Sequence, residues 1–176
     1  MTNINNTKRN VWTLALALPC ALVGIGLVGM GLGAAKPNAD GPKIEGTYIL
    51  EYRIMPDGKK ITSPAVVGIM TYSDDYRNMN VCWMIDGKPA SISLIAKYTL
   101  SEKEYTEDSM FYSANIDAKG LTYDTTALHG ASPVTMKDGG PQFKFPNHGE
   151  PSGVFTKDGM IATMPGSFTD HWKKID

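Results

Sequence analysis

The segment Gly46-Thr47-Tyr48-Ile49-Leu50-Glu51-Tyr52-Arg53 alternates at a period of two. Tyr48, Leu50, Tyr52 and Ile54 fall on one face; Thr47, Glu51 and Arg53 fall on the other, as a half-buried strand requires. The chain beyond it repeats this pattern. Val66 to Tyr72, Asn80 to Ile85 and Ser91 to Leu100 are β-branched or aromatic runs. Pro56-Asp57-Gly58, Ser73-Asp74-Asp75 and Asp86-Gly87 punctuate them, and an Asp-Gly pair is a strong two-residue hairpin signal. Ser101 and Glu104 have capping-box spacing, but no periodic apolar run succeeds them, so a turn into a strand at Glu104–Thr106 is expected. Further strands are predicted at Met110 to Ile116, Leu121 to Leu128, Gln142 to Phe145, Gly153 to Thr156, Met160 to Met164 and Phe168 to Ile175. Residues 129–141 are rich in Gly, Pro, Ser and Asp and read as a long loop. The sum is about eight to ten strands and no convincing helix beyond residue 40.

The first 35 residues read differently. Lys8 and Arg9 form a short basic region, and no residue from Val11 to Ala35 is charged. Gly33-Ala34-Ala35 offers small residues where a signal peptidase cuts. The apolar run also exceeds the length of an ordinary signal core and is long enough to span a bilayer, which takes about 20 residues. Cleaved signal peptide and uncleaved anchor both remain open. Pro19 before Cys20, and the apolar run after it, argue against a lipid-modified cysteine. The expected organisation is an export segment or anchor at 1–35, a linker at 36–45 and one domain at 46–176. That domain lies outside the cytoplasm, periplasmic or secreted, with membrane contact only through residues 11–35 if they persist.

All 18 acidic residues, and all but two of the 17 basic ones, lie beyond position 35. The domain is mildly negative with mixed signs, which argues against a nucleic-acid partner. Cys82 is its only cysteine, so no intrachain disulfide supports it.

Repeated strands with nearest-neighbour turns imply an up-and-down antiparallel sheet, and closing such a sheet into a barrel removes its edges. The residues resemble the bacterial lipocalin-like (calycin) domains over most of 44–176. Gly46-Thr47-Tyr48 stands where lipocalins carry Gly-x-Trp. Val67 to Tyr72, Ser91 to Ser93, Tyr98 to Ser101 and Tyr105 to Glu107 are similar to the meander. Phe155 to Gly159 and His171-Trp172-Lys173-Lys174-Ile175 are similar to the closing strands. The resemblance implies an all-β antiparallel barrel with Gly46, Tyr48, Trp172 and Lys173 at its closed end. There Tyr48 replaces the tryptophan, beneath Lys173 or Lys174.

No paired-cysteine metal motif, H-E-x-x-H or phosphate loop is present. His129, His148 and His171 are far apart, and the methionines form no close cluster, so no metal or cofactor is expected. No Gly-x-Ser-x-Gly elbow occurs, and Asp170-His171 point to opposite faces of a strand. The expectation is therefore not an enzyme. The aromatic residues carry more. Tyr52, Trp83, Tyr98, Tyr112 and Phe145 come from different strands, and alternate residues of every barrel strand point inward. Together with Arg53, whose fork suits a carboxylate, they are the candidate ligand-binding residues. Arg77 is a second such arginine. The leading expectation is a carrier for a small apolar or amphipathic molecule. Its alternatives are a structural subunit held to a membrane complex, and a lipid-modifying enzyme on a calycin barrel.

Overall fold

The computed structural model describes residues 41–176. The expectations for residues 1–35, and for most of the linker, lie outside the described residues.

The alternation at Gly46–Ile54 forms β1, which is central to an antiparallel sheet of thirteen strands. On one side lie β2 (Lys60–Thr62) and β3 (Val66–Tyr72), both paired with β1. The ladder continues through β4 (Tyr76–Ile85), β5 (Lys88–Leu100) and β6 (Glu104–Asn115) to the short β7 (Thr122–Asp124). β8 (His129–Pro133) also pairs with β6. On the other side of β1, the ladder runs from β13 (Phe168–Lys174) through β12 (Gly159–Met164), β11 (Ser152–Phe155) and β10 (Gly140–Lys144) to β9 (Thr135–Lys137). The described residues contain no helix.

The protein is thus all-β and antiparallel. Asp86 and Gly87 are both left-handed (φ 50° and 77°), as the two-residue hairpin between β4 and β5 demands.

Four sequence expectations need correction. The strand expected at Leu121 to Leu128 covers only Thr122–Asp124. Residues 129–141 are not a loop, because β8 and β9 lie within them and pair with different neighbours. Residues 104–116 are almost entirely one strand. Glu107 and Ser109 hid its continuity, because they put polar side chains at inward, fully buried positions. Finally, the strands number thirteen rather than eight to ten, and the ladder is not closed. Its ends are β7 and β9, and no strand pairing joins β6 or β8 to β10. β8 passes into β9 through Val134 alone. Pro146, which packs against Gly130 of β8, follows β10 at this seam, and proline has no N–H to give a ladder. Side chains hold it instead: Tyr105 of β6 stacks on Phe143 of β10 at 4.2 Å.

Two β-bulges set which residues face the core. Leu50 pairs with Trp172 and Tyr52 with His171, so Glu51 is an extra residue in β1. Ile95 pairs with Phe111 and Ala96 with Ser109, so Met110 is extra in β6. A bulge adds one residue and re-aims everything after it. Beyond Glu51 the phase of β1 flips: Tyr48 and Leu50 are buried, and then Arg53 is buried while Tyr52 is half exposed.

The interior has two levels. At the end where β1 begins and β3 finishes, Tyr48, Tyr72, Tyr98, Tyr105, Phe143 and Phe155 pack edge to face or stacked, with centroids 4.2–6.2 Å apart. Such aromatic pairs add about 0.5–1.5 kcal/mol each beyond their buried area. At the other end the packing opens into a cavity.

Candidate functional site

The cavity has a volume of about 190 Å³. Its wall is mostly apolar: Met70, Met79, Val81, Met160, Ala162 and Met164 line it from β3, β4 and β12. Trp83, Tyr112, Phe145, Phe168 and Trp172 add aromatic surface. An apolar void of about 150 Å³ holds a benzene molecule, so this space suits one small ring.

Two buried ion pairs border it. Arg53 donates to Asp170 through Nε (2.6 Å) and Nη2 (2.8 Å), in the parallel fork that favours carboxylates. The Glu51 bulge makes this contact, since it places Arg53 opposite Asp170 on the inner face. The guanidinium also lies over Phe168 at 3.9 Å and Trp83 at 5.4 Å. Burial holds the Asp170 carboxyl above its usual range, against the pull of Arg53.

The second pair is a cluster. Arg77, only 1 % exposed, donates through Nη1 to Glu107 Oε2 (2.9 Å) and to Glu150 Oε2 (3.0 Å), and through Nη2 to Glu150 Oε1 (2.7 Å). The Tyr105 hydroxyl donates to Glu107 Oε2 at 2.6 Å. One cation therefore faces two buried carboxyls. Burial raises the pKa of Glu150, opposed by Arg77 and assisted by Glu107. The cluster forms a polar layer between the aromatic end and the cavity, with Arg77 4.1 Å above the Phe145 ring.

The segment from Phe145 to Pro151 covers this layer. Asn147 anchors it by donating to the Glu107 carbonyl at 3.1 Å. His148 and Gly149 are both left-handed (φ 52° and 68°), a conformation that is uncommon for histidine. His148 lies flat on Tyr112 at 3.9 Å, and its Nε2 is 2.9 Å from Ser109 Oγ. Burial lowers the His148 pKa. Ser109 is 2 % exposed and does not border the cavity, so this hydrogen bond fixes the ring and presents no nucleophile to a ligand.

Of the sequence-derived candidates, Arg53, Trp83, Tyr112 and Phe145 line the cavity, and Trp172 joins them. Tyr98 is buried in the aromatic end. Tyr52 stacks on His171 at 4.3 Å with Lys60 above it at 3.6 Å, on the outer face. Plain alternation puts Tyr52 inward and Arg53 outward; the bulge reverses both. Tyr112 owes its place to the second bulge, which turns Met110 out to solvent.

At the aromatic end, the buried Tyr48 donates its hydroxyl to the Ile44 carbonyl at 2.8 Å. Its pKa is pushed up to about 12, chiefly by burial. The basic residue near its ring is Lys174, at 5.9 Å, while Lys173 is exposed. Gly46 has φ 136°, a backbone conformation that favours glycine, and its Cα faces the flexible end of the Lys174 side chain.

Arg77 is legible in the sequence as an arginine suited to a carboxylate, but its partners Glu107 and Glu150, and the places of Asp170 and His148 at the site, are not. One signal was present: Glu107 and Ser109 share a strand face with Tyr105, which marks polar groups facing inward. Among the described residues, no group of three or more His, Cys, Asp or Glu side chains is placed to hold a metal ion. No protein-family model, curated protein or solved structure matches this chain.

Proposed function

We propose that this is an exported, lipocalin-like binding protein that carries a small apolar or amphipathic molecule in its interior. One observation carries the reading: the cavity of about 190 Å³, walled by methionine and aromatic side chains. Ligand sites are typically apolar concavities with a few convergent polar groups, and here Arg53, Asp170 and His148 supply those groups. Methionine adapts to irregular shapes and contacts aromatic rings favourably.

The volume sharpens the expectation. Sites for drug-sized ligands span roughly 300–1,000 Å³, so the ligand here is a small ring rather than a lipid chain. The barrel itself belongs to this proposal. The ladder is open at Val134, and Tyr105 against Phe143 supplies a side-chain closure in its place. The export segment at 1–35 and a location outside the cytoplasm rest on the sequence pattern.

Trp83 and Trp172 both line the cavity and report on its occupation. Toluene titrated into the purified full chain is expected to change their fluorescence with saturation. No spectral change, together with no small molecule in an organic extract of the purified protein, would remove the proposal.

A further inference from the structure

The polar groups of the cavity say more about its occupant than its apolar wall does. Arg53 and Asp170 cancel each other, and both Asp170 oxygens are taken by the guanidinium. Both Glu150 oxygens are taken by Arg77. Burial favours a neutral His148. Every charged side chain that lines the cavity is therefore already paired within the protein. An anion would sit beside Asp170 and Glu150, and a cation beside Arg53 and Arg77, each after losing its water.

Arg53 carries one hydrogen-bond donor that the described residues leave without a partner. Arg53 uses Nε and Nη2 on Asp170, which leaves Nη1 with no acceptor among the described residues. The indole N–H of Trp172 also lacks a protein acceptor among them, but that nitrogen is itself buried and not open to the cavity, which leaves Arg53 Nη1 as the donor the wall offers. Both groups are donors only. The missing partner is an acceptor.

We infer that the cavity takes a small uncharged aromatic molecule bearing one hydrogen-bond acceptor, such as an aryl ketone or aldehyde, with the acceptor directed at Arg53 Nη1. This rests on the cavity reading above and narrows it. The ring fills the space between the methionines and Trp83, Phe168 and Trp172. The acceptor lies at the edge where Arg53 crosses Phe168.

Four probes of nearly the same size and shape separate the possibilities: acetophenone, α-methylstyrene, benzoate and benzamidinium. They are titrated by calorimetry into the full chain at pH 7. Acetophenone is expected to bind about tenfold more tightly than α-methylstyrene, which has a methylene in place of the carbonyl oxygen. Benzoate and benzamidinium are expected to bind at least about tenfold more weakly than acetophenone. Arg53→Lys keeps a cation beside Asp170 but loses the fork, and should erase the preference for acetophenone over α-methylstyrene.

The failures are distinct. Equal binding of acetophenone and α-methylstyrene overturns the acceptor but leaves the cavity in use. Tightest binding of either ion overturns the neutral ligand. Silence from all four probes removes the cavity reading and this inference together. The wild-type series decides these points even if Arg53→Lys does not fold.

Discussion

Arg77 and Glu150 are 73 residues apart in the chain and meet through two hydrogen bonds of 2.7 and 3.0 Å in the protein interior. This contact ties β4 to the segment between β10 and β11, which the open ladder leaves without direct pairing to it. Removing one partner of a buried ion pair costs about 3–5 kcal/mol, because the other charge is left without compensation. Arg77→Met strands two carboxyls and should show a loss of that size in urea unfolding. Glu150→Gln leaves Arg77 paired with Glu107 and should cost clearly less. Equal losses would mean that the cluster does not act as one cation shared by two acids.

Gly68 shows how closely the cavity wall is packed. A Cβ at this position would lie 2.8 Å from Trp172 Cη2 and 3.1 Å from Leu50 Cβ. The Trp172 ring would have to move, and overpacking of this kind costs about 1–3 kcal/mol. Gly68→Ala should lower the thermal midpoint and change the near-ultraviolet circular dichroism of Trp172. A variant with wild-type stability and an unchanged spectrum would show that the ring does not lie against Gly68.

Ala162 offers the opposite experiment. It is 3 % exposed and borders the cavity, so Ala162→Leu adds apolar atoms to empty space. Where room exists, added methylenes gain about 0.8 kcal/mol each at most, without the strain of overpacking. Stability should hold or rise while ring-sized probes stop binding in a fluorescence titration. Unchanged binding would place the ligand elsewhere.

Two ionisable groups give opposite pH dependences. The His148 pKa lies below its ordinary 6.5, so the unfolded chain takes up a proton that the folded chain resists. That contribution is full above 6.5 and is lost as pH falls from there toward the lowered value. Glu150 is raised above 4.5, so the folded chain keeps a proton that the unfolded chain releases. Its contribution is full below 4.5 and is lost as pH rises through the raised value. Urea midpoints between pH 4 and 8 can separate the two. The advantage of wild type over His148→Asn should shrink below pH 6.5, and the comparison with Glu150→Gln should move against wild type above pH 4.5. Gaps that stay constant with pH would contradict both assignments.

Much of the sheet was legible because its rules are local. Val66–Tyr72 has the bounds that β-branched and aromatic content predicts, and Asp86-Gly87 makes the hairpin its residue types demand. The site was less legible because single extra residues decide it. Nothing in Leu50-Glu51-Tyr52 announces that Glu51 drops out of the pairing, yet that event exchanges Tyr52 for Arg53 at the inner face. Whether a glutamate is solvated or buried against an arginine 30 or 73 positions away is settled by tertiary folding, which periodicity does not encode. The covering segment at 145–151 has no period at all.

The seam at Val134 has a mechanical consequence. A ladder parts only when peptide hydrogen bonds break, whereas stacked rings slide and reform at little cost. Between β6 and β10 the boundary is Tyr105 on Phe143, and the Val134 amide on the Lys103 carbonyl at 2.8 Å adds a local tie on the β6 side. Tyr112 and Ile116, beside the cavity on the β6 side, face the Phe145–Pro151 segment across this same line. The sheet therefore has a built-in direction of yielding. Asn147 on the Glu107 carbonyl and His148 on Ser109 are hydrogen bonds that such yielding would have to break.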